Sequence, residues 1–205
     1  MPLHPETPGT APASLNEDVT LGFRFYRLLR RAFLAVLLLI ILFVGIGFLL
    51  PKSYAAHGEI VIDMPAMTIY PLINNLENWS LWAPLPQRYP DLRTEYPLQR
   101  SFGTGAIMQW QSGQASKGRI KLINAYPFRS IQAELTTEGY EALPATLQFE
   151  FVREGSSTRL VYTYSGEVYD DPLNRWFGLL IEAAAKAEYD KALEALKAQA
   201  EKKRR

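Results

Sequence analysis

One unbroken apolar run and a series of alternating stretches divide this chain. The run extends from Ala32 to Leu50, AFLAVLLLIILFVGIGFLL, 19 residues without a charged side chain. As a helix it would span about 28 Å, one hydrocarbon core, and it predicts a transmembrane helix. Pro51 and Lys52 end it. Before it, the first twenty residues are rich in Pro, Thr, Ser and Ala with no apolar period, so residues 1–23 read as a disordered tail. Residues 24–31 form a basic juxtamembrane segment, and residues 53–205 form one domain.

Alternation governs the domain. Gly58 to Asp63 (GEIVID) predicts a strand that Met64-Pro65 breaks. Ala66 to Asn74 predicts a short helix with Ile69, Leu72 and Ile73 on one side. A turn rich in tryptophan follows, Asn78-Trp79-Ser80-Leu81-Trp82, and Pro84, Pro86 and Pro90 mark a loop. Short strands are predicted at Arg93 to Tyr96, Ala106 to Gln111, Lys117 to Asn124, Arg129 to Thr136, Ala145 to Arg153 and Thr158 to Val168. Asp170-Asp171-Pro172 signals a helix start, and a helix rich in Ala, Glu, Lys and Leu runs from Leu173 to about Lys203. Consecutive hairpins imply an antiparallel sheet, and only the long helix is large enough to cover its apolar face. The fold class is therefore α+β, a curved antiparallel sheet wrapped around a C-terminal helix.

Register tests the faces. If the turn at residues 154–157 pairs Arg153 with Thr158, then Phe151 faces Leu160, Phe149 faces Tyr162 and Leu147 faces Tyr164, all on one side. The turn at Tyr126-Pro127 pairs Leu122 with Ile131 and Ile120 with Ala133. A slip of one residue would invert every side chain, so two hairpins that agree define an apolar concave face. On the strand carrying Met108 and Trp110 the parity stays open, since either Ile107 or Trp110 can point inward.

Composition narrows the chemistry. Of 205 residues, 22 are basic and 21 acidic, a net charge of +1 that offers no field for a phosphate backbone, so no nucleic-acid partner is expected. Cysteine is absent, which removes disulfides, thiolate nucleophiles and Cys-ligated zinc. The two histidines, His4 and His57, fall outside the part that reads as folded. No paired carboxylates share the inner face, so neither a catalytic constellation, nor a metal site, nor a cofactor is expected. Charge also sets topology. Arg24, Arg27, Arg30 and Arg31 precede the apolar run and only Lys52 follows it closely, which places the N-terminus in the cytoplasm. A cleavable signal sequence is the other reading, because Ser53-Tyr54-Ala55 resembles a small-x-small site. The run exceeds a usual signal core and follows about thirty residues, which favours an uncleaved anchor.

The ordered motifs resemble a known family. They are Ile60-Val61-Ile62-Asp63-Met64-Pro65 before a helix, Asn78-Trp79-Ser80-Leu81-Trp82, Gly103-Thr104-Gly105-Ala106 before the strand ending in Trp110, Gly118-Arg119-Ile120-Lys121-Leu122, Thr158-Arg159-Leu160-Val161-Tyr162, Ser165-Gly166-Glu167, and Leu193-Glu194-Ala195-Leu196-Lys197. From Lys52 to Glu201 the chain resembles the SRPBCC superfamily of START-like helix-grip proteins, in its bacterial polyketide cyclase/dehydrase-like branch. The resemblance implies a cavity between sheet and helix for a hydrophobic small molecule or lipid. It also permits a cyclase or hydrolase activity in that cavity. With the anchor, it implies a single-pass protein of the bacterial inner membrane with a periplasmic domain and the lipid bilayer as a partner.

The candidate ligand-lining residues are Trp82, Trp110, Leu147, Phe149, Tyr162 and Tyr164. Trp79 and Trp82 either border a pocket mouth or plug the core. Buried hydroxyls of Tyr162 and Tyr164 need partners, which a ligand, each other or the backbone can supply. A protein-interaction module with a filled core is the remaining alternative. Gly45-Ile46-Gly47 is not the spaced small-residue motif of helix dimers, and no oligomeric state follows from it.

Overall fold

The computed structural model describes residues 14–113, 117–139 and 143–202. The expected tail up to residue 13 and the basic end Lys203-Arg204-Arg205 lie outside them, as does the side chain of Arg24. Two compact units divide the chain between Ile46 and Gly47.

The first unit holds most of helix α1 (Ser14–Leu49), which begins within the stretch read as tail. Within it, Tyr26–Leu49 is long and apolar enough to cross a membrane, with a mean hydropathy of 3.1 over its most apolar 18 residues, a property that anchors share with signal sequences.

In the second unit, seven strands form one curved antiparallel sheet. They are β1 (Ser53–Ile62), β2 (Arg93–Glu95), β3 (Ile107–Gln111), β4 (Gly118–Tyr126), β5 (Ser130–Thr137), β6 (Ala145–Glu154) and β7 (Ser157–Glu167), in the spatial order β1-β7-β6-β5-β4-β3-β2. Hairpins generate most of that order, and the first strand adds beside the last. Between β1 and β2 come helix α2 (Ala66–Asn74), a 3-10 turn (Leu76–Leu81) and helix α3 (Pro84–Arg88). Helix α4 (Pro172–Lys202) covers the concave face, burying Ala185, Ala192, Leu193, Leu196 and Ala200. This is the α+β helix-grip arrangement expected.

Two differences from the expected pattern, and one point that the pattern left open, have physical causes. First, β1 starts at Ser53, five residues earlier than expected, so His57 belongs to the sheet and its Nδ1 lies 3.1 Å from Thr163 Oγ1. The inward positions there are Tyr54, Ala56 and Gly58, two of them too small to mark an apolar alternation. Second, the β6–β7 register matches expectation from Arg153↔Thr158 to Leu147↔Tyr164, but β4–β5 differs by two residues, with Leu122 opposite Ala133 and Ile120 opposite Leu135. The turn at Tyr126↔Ser130 offsets the pairing by three residues, and a bulge between Leu122 and Asn124 takes one back, which leaves a shift of two. An even shift keeps each residue on its face, so Ile120, Leu122, Ile131 and Ala133 are all buried as expected. Third, β3 turns Met108 and Trp110 inward, which closes the parity left open.

Candidate functional site

Trp82, Trp110, Leu147, Phe149 and Tyr162 share one buried cluster, with Tyr164 packed against its edge. Their roles divide into three groups.

The first group closes the end of α2. A helix leaves its last carbonyls without intrahelical donors. Here the 3-10 turn and Trp82 just after it supply three: Asn78 Nδ2 donates to Pro71 O (3.0 Å), Trp82 Nε1 to Leu72 O (2.9 Å) and Trp79 Nε1 to Ile73 O (2.8 Å). The two indoles lie 5.0 Å apart, and each meets Phe149 edge-on at 6.2 and 6.0 Å. Both indoles are enclosed, as a core plug would be. The pattern Asn78-Trp79-Ser80-Leu81-Trp82 carried this capping information, but only the helix boundary at Asn74 reveals it.

The second group is Trp110 over Gly118, its direct partner on β4. This pair borders an open, polar cleft of about 830 Å³ formed by Asp91, Arg93, Lys117, Arg119 and Thr136.

The third group is a tyrosine cluster between β1, β7 and α4. Tyr189 of α4 lies 5.1 Å from Tyr162 and stacks on Tyr164 at 5.5 Å, while Tyr54 lies 5.6 Å from Tyr164. The hydroxyls of Tyr54 and Tyr164 share a hydrogen bond. The mutual pairing weighed for Tyr164 therefore exists, although with Tyr54 rather than Tyr162. Tyr162 is fully enclosed, and among the described residues its hydroxyl has no hydrogen-bond partner. Burial pushes the Tyr162 phenol up to about 12, and the Asp190 carboxylate adds to the effect. Burial likewise raises Tyr164 and Tyr189. These phenols stay neutral through the physiological range, so Tyr162 remains an O–H donor.

Beside this cluster an open cleft of about 540 Å³ separates β1 from α4, lined by His57, Gly58, Ile60, Lys186, Asp190 and Leu193 among others. Lys186 Nζ bridges it, 2.9 Å from Asp190 Oδ2 and 3.4 Å from His57 O. Tyr54, Tyr189 and Asp190 were not singled out from sequence. Tyr189 was findable, since Ala185, Tyr189, Ala192 and Leu196 follow helical spacing along the buried stripe. Tyr54 was hidden by the late start assigned to β1.

Among the described residues no group of three His, Cys, Asp or Glu side chains could hold a metal ion.

Solved structures with this fold include a point mutant of norcoclaurine synthase from Thalictrum flavum in complex with a transition-state analogue, at 15% identity and a TM-score of 0.57 over 75% of this chain and 97% of that one. Ara h 8.0201 matches at 12% identity and a TM-score of 0.53 over 72% and 97%. Protein MLL2253 from Mesorhizobium loti matches at 12% and 0.53 over 70% and 94%. Likeness at this identity speaks for the fold alone. No curated protein sequence matches the chain. The model of one family, polyketide cyclase / dehydrase and lipid transport, matches residues 55–201, most of the chain and almost the whole sheet-and-helix unit, and the chain belongs to that family.

Proposed function

We infer that this protein is a membrane-anchored binder or carrier of a hydrophobic small molecule or lipid, held between the sheet and α4. The observation that carries this reading is the Tyr162 hydroxyl. A buried polar group without a partner costs roughly 1–3 kcal/mol, and native proteins rarely leave one. An apolar ligand with one hydrogen-bond acceptor would satisfy it. Leu147, Phe149, Tyr162, Tyr164 and Tyr189 would contact such a ligand, and the cleft at His57 and Asp190 would admit it. The family's description, which includes lipid transport, supports a hydrophobic cargo. The apolar helix Tyr26–Leu49 supports anchoring, with Arg27, Arg30 and Arg31 on its cytoplasmic side and the domain on the periplasmic side of a bacterial inner membrane.

A second reading, a protein-interaction module with a filled core, is favoured by the close contacts of Trp79, Trp82 and Phe149. Native mass spectrometry of the full chain, extracted from its membrane in mild detergent, separates the two. The carrier reading expects a reproducible apolar adduct that Tyr162→Phe weakens without loss of folding. A bare mass for the wild type under gentle conditions would sink it and leave the filled-core module.

A further inference from the structure

Helix α4 changes character along its length. Past Glu182 its solvent-facing positions are charged or small, with Lys191 and Glu194 exposed, while Lys186 and Asp190 stand at the cleft beside β1. Before Glu182 its outer face is apolar: Leu173, Phe177 and Leu180 are 57%, 57% and 64% exposed. These residues are spaced four and three apart, so they form one stripe. The run Trp176 to Ile181 contains no charge. A helix facing water presents polar side chains there, and a contiguous exposed apolar stripe marks a contact surface.

The level of that stripe follows from hydrogen bonds. α4 runs beside β1 in the same direction. Glu201 Oε1 accepts from Asp63 N at 3.3 Å, and Lys186 Nζ donates to His57 O at 3.4 Å. Further toward its start, Arg175 donates to Leu50 O at 3.1 Å and also to Phe48 O. Pro172 fills the space beside Gly47, where a Cβ would come within 2.7 Å of Pro172 Cβ. The first two turns of α4 thus lie beyond Ser53, level with Gly47–Leu50, the residues that end the apolar helix and sit in the domain's own compact unit. Phe48 and Leu49, 59% and 85% exposed, are apolar at the same level.

We propose that Leu173, Phe177 and Leu180 form a foot that inserts into the headgroup–acyl boundary of the bilayer. This rests on the reading that Tyr26–Leu49 spans that bilayer. A span ending at Leu49 puts residues 47–50 at the membrane surface, so the stripe beside them meets lipid and not bulk water. Apolar faces of interfacial helices sit about 5–10 Å into this boundary. Lys52 and Tyr169, both exposed near the start of α4, have the chemistry favoured at headgroup depth. The foot would fix the domain against the surface, which a flexible tether alone would not do.

The absence of cysteine allows a direct test with single-cysteine variants of the full chain. Leu173→Cys, Phe177→Cys, Leu42→Cys and Glu154→Cys are labelled with a bimane and reconstituted in phosphatidylcholine–phosphatidylglycerol vesicles containing brominated lipids. The proposal expects quenching at 173 and 177, stronger with bromines near the headgroup than deep in the chains, deep quenching at 42, and none at 154. Quenching at 42 with none at 173 and 177 would overturn the foot while leaving the anchor standing. No quenching at 42 would overturn the anchor and the foot with it. Labels at 173 and 177 shielded from iodide yet untouched by brominated lipid would assign the stripe to a protein partner and likewise overturn the bilayer.

Discussion

The ring of Tyr162 occupies the space that a side chain at Gly58 would fill: a Cβ there would lie 2.3 Å from Tyr162 Cε1 and 2.8 Å from Asp190 Oδ1. The two residues are direct partners across β7 and β1. Trp110 and Gly118 repeat the arrangement on β3 and β4, with Trp110 Cζ2 at 2.2 Å from the missing Cβ. Each aromatic completes the inward surface that its cross-strand glycine lacks. Gly58→Ala must therefore displace a packed ring and a carboxylate, and it should destabilise the domain by about 1–3 kcal/mol. Urea unfolding measures this, and an unchanged midpoint would mean that the ring moves freely.

Alkaline pH should weaken the fold through the tyrosine cluster. Burial raises Tyr162 to about 12 and also raises Tyr164 and Tyr189. Below the unfolded value of about 10 both states are neutral and these groups contribute no pH dependence. Above it the unfolded chain ionises while the native chain does not, so stability falls as pH rises, for Tyr162 over the window from about 10 to 12. The slope is about 1.4 kcal/mol per pH unit for each blocked phenol. Tyr162→Phe should make the slope shallower by about one proton, which urea midpoints between about pH 9 and 11 would show. The same slope in both proteins would contradict the assignment.

The register at residues 154–157 was legible because a short turn joins two strands whose apolar residues alternate without interruption. Phe149↔Tyr162 and Leu147↔Tyr164 follow from counting. Counting failed because neither the wider turn after Tyr126 nor the bulge between Leu122 and Asn124 has a mark in the sequence, yet the buried faces survived because the net offset was even. The start of β1 was illegible for another reason. Gly58 is small because it admits the Tyr162 ring, and a partner about a hundred residues away cannot be read locally. The Tyr162 hydroxyl is of the same kind: its parity was predictable, but the Tyr54–Tyr164 hydrogen bond beside it depends on a strand start that the sequence hides.

Trp82 should act on stability through a carbonyl. Its indole Nε1 donates to Leu72 O in a fully buried setting. Trp82→Phe keeps most of the apolar area but leaves that carbonyl unpaired, at a cost of about 1–3 kcal/mol. Faster amide exchange in α2, with a lowered urea midpoint and an apolar adduct that persists, is the expected pattern. Loss of the adduct at unchanged stability would instead make Trp82 a ligand contact.

The linker between the apolar helix and β1 should respond to acid through Asp170. Its carboxylate meets Lys52 Nζ at 2.6 Å and Arg175 at 2.7 Å, and those two hydrogen bonds hold it below the usual carboxylate range. A lowered native value means that its contribution is present above the unfolded value of about 4 and is lost as pH falls through the native one. The Arg175 side chain is largely buried, but Lys52 and the Asp170 carboxylate are exposed, the carboxylate to 62%, so global stability should hardly change. The local effect is the readable one, because Val168 N donates to Lys52 O at 2.8 Å just where the linker joins the sheet. Asp170→Asn should speed hydrogen exchange at the Val168 amide at neutral pH while leaving the Leu160 amide, deep in β7, unchanged. The wild type should lose the same protection only below about pH 4. Equal exchange at Val168 in both proteins would show that the ion pairs decorate the linker without holding it.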